Sequence, residues 1–184
     1  TGAAAGESIY VSGPLGSAAA GLALFKKAKL EGTDPAQWAQ WQVLLNAHLN
    51  PQPAVKLGQI LGSSGSVSSM QDISDGLATD LAHICQASGT GSVIYEQQLP
   101  SLAVIDSAAL FLHKDKLDLI LKGGEDYQLL FTVHSGRESE LEARLLTELN
   151  HRIYRVGTIT TGQGVILEKS DSSRCEITFQ GYEH

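Results

Sequence analysis

The chain is poor in sulfur and in positive charge. Only two cysteines, Cys85 and Cys175, stand among its 184 residues. Two cysteines make neither a disulfide framework nor a metal cluster, and they favour a reducing, cytoplasmic compartment. The 13 Lys and Arg residues are outnumbered by 20 Asp and Glu residues, which gives a net charge of −7. Because no basic patch emerges, nucleic acid and anionic membrane surfaces are not expected as partners.

Long apolar runs are also missing, and none could span a bilayer. The Ala-rich start at Thr1 lacks the basic and hydrophobic regions of a signal peptide. It has no initiating Met, and a strand is predicted almost at once, from Ser8. We therefore expect the chain to be part of a longer protein. Its hydrophobic content of 42% is enough for one good-sized domain.

The pattern of apolar residues predicts alternating helices and strands. Helices are predicted over 18–29, 35–48, 53–61, 76–86, 102–112, 116–121 and 137–149, with Ser17 capping the first. Strands are predicted over 8–12, just ahead of Asp72, and over 92–96, 126–133, 154–160, 165–168 and 176–179. The turn at 162–164 predicts an antiparallel meander at the end of the chain. We expect one α+β domain over residues 1–184, with a mixed β-sheet packed against helices.

The most informative segment is Asp-Ile-Ser-Asp-Gly-Leu at 72–77. Leu77, Leu81 and Ile84 follow at helical spacing, so the acidic cluster lies where a strand or turn enters a helix. Hard oxygen ligands at such a junction suit Mg²⁺, which binds a few carboxylates together with phosphate oxygens. Alternatively, one acid and Ser74 could simply cap the helix, and Gly76 could permit the turn.

A second acidic segment is Lys-Gly-Gly-Glu-Asp-Tyr at 122–127. Two glycines allow the backbone to approach a ligand closely, and Glu125 and Asp126 follow at the head of a hydrophobic strand. A ligand contact and a solvated glycine turn both fit this pattern. Asp80 and His83, one helical turn apart, fit either a shared site or a surface pair. Phe179 could stack on a flat ring or pack at the end of a strand.

Several familiar catalytic patterns are missing from the chain. It contains no Walker A loop and no G-x-S-x-G elbow. It also lacks a His-x-x-x-His pair, so the sequence does not support a zinc hydrolase. Residues 13–17 open a helix and offer only a weak phosphate-binding pattern.

Taken in order, these segments resemble the C-terminal part of the thiamine-monophosphate kinase family, within the superfamily of aminoimidazole ribonucleotide synthetase. The matches are 9–13, 16–22, 48–53, 72–84, 123–127 and 181–184. The resemblance implies the C-terminal-domain fold of that synthetase and transfer of the terminal phosphate of ATP to thiamine monophosphate. It further implies that Asp72 and Asp75 bind Mg²⁺, that Ser74 contacts ATP, and that Glu125 and Phe179 contact the thiamine substrate.

The chain departs from this family in two ways. Asn50 and Ala54 stand where the family usually has arginines, and Ser17 stands where Asp is common. The family also carries an N-terminal domain that supplies most Mg-ATP ligands and the dimer interface, so a homodimer is implied only for the full-length protein. We expect the 184 residues alone to have little or no kinase activity. The alternatives are a non-catalytic binding domain of the same superfamily and a synthetase with another acceptor.

Overall fold

The computed structural model describes residues 1–177, which form one seven-stranded mixed sheet with helices on both faces. The strands are β1 (Ser8–Val11), β2 (Val67–Asp72), β3 (Gly91–Tyr95), β4 (Leu129–Val133), β5 (Tyr154–Thr160), β6 (Gly164–Glu168) and β7 (Arg174–Glu176). Their order is β2-β4-β1-β5-β3-β6-β7. The β3–β6 pair is parallel and the others are antiparallel, which confirms the predicted mixed α+β architecture.

Seven α-helices lie among the described residues. They are α1 (Ser17–Glu31), α2 (Gln42–Leu49), α3 (Val55–Ser63), α4 (Leu77–Ser88), α5 (Val104–Leu112), α6 (Lys116–Leu121) and α7 (Glu138–Leu149). None of the helices in this described part is long and apolar enough to cross a membrane.

The central strands are buried on both faces because each face carries its own pair of helices. Side chains alternate along a strand, so Ile9 and Val11 of β1 pack with α4 and α6 on one face. Tyr10 points to the other face and packs with Phe131, α3 and α7. Cys85 is part of the first cluster and is buried, as predicted for a small core residue.

A third apolar cluster joins α1, α2 and α5 beyond the sheet. Here α1 and α2 approach so closely that a Cβ on Gly21 would lie 2.0 Å from the Leu44 carbonyl oxygen. Trp38 and Trp41 pack edge to face with each other, and both also contact the Phe111 ring. Of these helices, α1 and the end of α5 border the cleft described below.

Three local predictions were wrong. The segment 35–48 contains two 3₁₀ turns, Pro35–Gln37 and Ala39–Trp41, before α2 begins. The strand predicted from 126 begins only at Leu129. The turn at 162–164 does not join a hairpin, because β5 and β6 each pair with β3, which lies between them.

Candidate functional site

The two acidic segments lie side by side although 50 residues separate them in sequence. Asp72 ends β2 opposite Leu129 of β4, and the backbone pairing continues past both strands. The Ile73 N–H donates to the Gln128 carbonyl over 2.7 Å, and the Tyr127 N–H donates to the Ile73 carbonyl over 3.0 Å. One step further, the Glu125 N–H donates to the Ser74 carbonyl over 2.9 Å. The segments 72–77 and 122–127 therefore form one unit at this edge of the sheet.

Asp80 holds the 74–76 turn in shape from the first turn of α4. Its Oδ2 accepts hydrogen bonds from the backbone N–H groups of Ser74, Asp75 and Gly76 at 3.0, 3.1 and 3.2 Å. The side chain is only 4% exposed, and this burial raises its pKa against the opposing effect of the three N–H groups. Oδ1 of Asp80 also lies 4.0 Å from Nδ1 of His83, so the pair that the sequence left open is present, but Asp80 is buried and also anchors the turn.

Small residues allow the two segments to touch. A Cβ on Gly124 would lie 2.3 Å from the Ser74 carbonyl oxygen, and one on Gly123 would lie 2.1 Å from the Leu119 carbonyl oxygen. Gly76 has a φ of 114°, and a Cβ on it would lie 2.9 Å from the Lys122 carbonyl carbon. These close approaches explain the glycines without a ligand, so the glycine pattern alone did not identify a binding loop.

Glu125 projects from a strained turn into solvent. Its φ is 64° and that of Tyr127 is 49°, both in the left-handed region that non-glycine residues seldom adopt. Its side chain is 52% exposed, and Oε2 lies 3.2 Å from Nδ1 of His48 on α2. Such strain concentrates at functional sites, which makes Glu125 a candidate ligand contact.

Asp126 turns the other way and caps α1. Its two carboxylate oxygens accept hydrogen bonds from the Gly16 and Ala18 N–H groups at 2.6 and 3.0 Å. Burial outweighs these bonds and raises the pKa of the carboxyl to about 6. The predicted cap by Ser17 was therefore wrong. Because Asp126 already occupies the N-terminus of α1, that terminus does not offer an open phosphate site.

A cleft of about 950 Å³ opens between α1, the α5–α6 turn and the paired acidic segments. Its wall brings together three predicted site residues, Ser74, Asp75 and Glu125. Asp72 is exposed at the end of β2 and is not part of this wall. Phe179 lies outside the described residues.

The same cleft also carries features that the sequence analysis did not single out. Lys26, Lys114 and Lys122 line its wall, and its apolar part includes Leu22 and Leu112. No local sequence pattern marks this lining, because separate helices that meet only in the fold contribute it. A ligand with a polar end and a flat apolar body fits such a surface.

The acidic side chains of the described part of the chain do not form a complete metal-binding cluster. No group of three or more His, Cys, Asp or Glu residues among them is placed to hold a metal. Asp72 and Asp75 are both exposed and are not used by the backbone, unlike Asp80. Two exposed carboxylates fit an Mg²⁺ ion whose remaining ligands come from phosphate and water.

The fold and cleft together define an α+β domain that presents acidic groups at one sheet edge. Residues 4–170 match the family described as AIR synthase related protein, C-terminal domain. The chain therefore belongs to this family.

Curated relatives and solved structures agree with that assignment. The chain is 34% identical to the thiamine-monophosphate kinase of Bacillus subtilis (strain 168) over 96% of its own length and 52% of the relative's. It is 35% identical to the thiamine-monophosphate kinase of Escherichia coli (strain K12), over 100% of its own length and 54% of the relative's. The chain thus spans about half the length of the curated relatives it matches.

Among solved structures, the thiamine-monophosphate kinase of Stenotrophomonas maltophilia K279a superposes with a TM-score of 0.79 at 33% identity, covering 91% of this chain and 51% of that one. The structure of AaThiL complexed with AMPPCP and TMP superposes with a TM-score of 0.79 at 29% identity, covering 100% of this chain and 52% of that one.

Proposed function

We propose that this chain is the C-terminal half of an Mg²⁺- and ATP-dependent kinase that converts thiamine monophosphate to thiamine diphosphate. The observation that carries the proposal is the meeting of Ser74, Asp75 and Glu125 on one cleft. Relatives that match the whole chain are named thiamine-monophosphate kinases, and a similar structure is complexed with AMPPCP and TMP.

The proposed roles are those that the family resemblance implies, and the chemistry of the side chains fits them. Asp72 and Asp75 would hold Mg²⁺, Ser74 would contact ATP, and Glu125 would face the cationic thiazolium or the aminopyrimidine of the substrate. Phe179 is proposed as an aromatic contact to the thiamine rings. Transfer between two phosphates depends mainly on positioning and charge neutralisation, so the reaction does not require a strong nucleophile from the protein. Mg²⁺ would supply the charge neutralisation.

The rest of the proposal concerns the whole protein. An N-terminal domain would supply further Mg-ATP ligands and a homodimer interface, and the enzyme would work in the cytoplasm. Among the described residues, no group of three or more potential ligands is placed to hold a metal ion, which supports a contribution from a second domain. We expect little or no turnover from these 184 residues alone.

The test is ADP production by the full-length gene product with Mg²⁺, with and without thiamine monophosphate. We expect turnover that requires thiamine monophosphate and falls in Glu125→Gln, which keeps the shape of the side chain but removes its charge. Glu140→Gln is the matched control, since Glu140 lies on α7, outside the cleft, and pairs with Arg137. It should behave like the wild type.

A non-catalytic binding domain of the same superfamily is the second candidate. It is favoured by Asn50 and Ala54, which stand at positions where arginines are expected. Ala54 packs against the apolar cluster of α3 and α7, so it offers no anion contact, and only Lys56 remains nearby in sequence. A folded full-length protein without turnover would favour this candidate over the kinase.

A further inference from the structure

His48 lies beside the proposed substrate carboxylate and is the strongest polar feature that the proposed roles leave unused. Its side chain is 19% exposed, and Nδ1 lies 3.2 Å from Oε2 of Glu125. This buried Nδ1 makes no hydrogen bond within the described chain, and the Glu125 carboxylate is the charged group beside it. Leaving a buried donor without an acceptor is costly, so a small movement that turns this 3.2 Å contact into a hydrogen bond with the carboxylate is favoured.

The position of His48 is fixed from behind by the crossing of two helices. A Cβ built on Gly21 of α1 would lie 3.1 Å from the Cβ of His48 and 2.0 Å from the Leu44 carbonyl oxygen. The glycine thus lets the last turn of α2 sit directly on α1. The position of the His48 Cβ is therefore set by α1, and the largely buried ring lies beside the Glu125 carboxylate.

Glu125 needs such support because little else restrains its side chain. The backbone is held by the hydrogen bond to the Ser74 carbonyl, whereas the carboxylate is half exposed and His48 is its one ion-pair neighbour among the described residues. A freely rotating carboxylate would lose conformational entropy on meeting a substrate, and a partner that holds it in advance lowers that cost.

We propose that His48 is a positioning residue, which holds the Glu125 carboxylate toward the cationic part of the substrate through its Nδ1–H. This role rests on the proposed kinase function and on the proposed substrate contact of Glu125. Oε1 then stays available for the substrate while Oε2 accepts from His48.

The test uses steady-state kinetics of the full-length gene product with ATP and thiamine monophosphate. His48→Leu fills the space without a donor, and we expect it to raise KM for thiamine monophosphate roughly tenfold, the effect of losing one hydrogen bond to a charged group. KM for ATP should not change. His48→Asn, whose amide can donate from a position close to that of Nδ1, should recover most of the loss.

A double variant separates positioning from a general structural effect. His48→Leu combined with Glu125→Gln should be no worse than Glu125→Gln alone, because His48 acts only through that carboxylate. His134→Leu is the matched control: it removes a histidine that lies 2.7 Å from buried Glu7 at the other end of β4. It should lower the Tm without changing either KM.

The outcomes distinguish this proposal from the kinase proposal. If Glu125→Gln impairs turnover but His48→Leu does not, the role of His48 is overturned alone. Effects of the two substitutions that multiply, or an equal rise in both KM values, would also overturn it. A folded full-length protein with no turnover would overturn the kinase proposal and this role together.

Discussion

Asp126 offers the sharpest test of the electrostatics of this site, because burial and hydrogen bonding act on it in opposite directions. Three N–H groups at the N-terminus of α1 favour the charged carboxylate, and burial disfavours it. Burial wins, so the pKa rises from an ordinary 3.8 to about 6. This shift makes the free energy of unfolding depend on pH. We expect Asp126→Asn, which cannot titrate, to remove that contribution.

The sign follows from proton binding. Between the two pKa values the folded chain binds a proton that the unfolded chain releases, so the free energy of unfolding falls as pH rises. The full loss is about 3 kcal/mol, since each pKa unit is worth about 1.4 kcal/mol. About 1.4 kcal/mol of it falls between about pH 5 and about pH 7.5. The stability contributed by protonated Asp126 is therefore present in acid and absent above its folded pKa.

Urea denaturation of the wild type and of Asp126→Asn across this pH range measures the difference directly. The contributions of other titrating groups cancel in the difference between the two free energies of unfolding, because both proteins carry those groups. The wild type should lose stability relative to the variant as pH rises. A constant difference would mean that the pKa is not shifted. A wild type that gains relative stability with pH would mean that the three N–H groups outweigh burial, and the reasoning would be wrong.

Two further substitutions test how the site is supported. Asp80→Ala leaves three backbone N–H groups of the 74–76 turn without their acceptor and should lower the free energy of unfolding by about 3 kcal/mol; a loss below about 1 kcal/mol in urea denaturation would contradict the anchoring role. Gly21→Ala should cost about 1–3 kcal/mol, because the helices must separate to admit its Cβ. Gly62→Ala, in α3 with open space around it, is the matched control and should stabilise by about 0.5–1 kcal/mol; equal effects of the two in thermal unfolding would contradict the close crossing.

Helices with a clear apolar period could be predicted from the sequence to within a few residues. Leu77, Leu81 and Ile84 placed α4 correctly, because helical spacing and burial act together there. The pairing of strands could not be predicted in this way. The glycines at 162 and 164 suit a turn between two strands, but a turn does not say whether those strands pair with each other or leave room for β3.

The loop before β4 shows a different limit. Residues 126–133 look like one apolar strand, yet Glu125 and Tyr127 have positive φ and the strand begins only at Leu129. The cause lies in tertiary contacts, namely the hydrogen bonds of this loop to Ile73 and Ser74 and the capping of α1 by Asp126. Such contacts join residues far apart in sequence, so no local pattern contains them.

Burial is what separates the carboxylates that support the site from those that can bind a ligand. In sequence, Asp75 and Asp80 are equivalent acids near the start of one helix, and Glu125 and Asp126 are neighbours. In the fold, Asp80 and Asp126 turn inward, and their carboxylates accept hydrogen bonds from backbone N–H groups. These two carboxylates are therefore not available to a ligand. Asp75 and Glu125 remain exposed on the cleft wall. Of these four acids, only the second pair is therefore free to meet a metal ion or a cationic substrate, and the first pair fixes the backbone that positions the second.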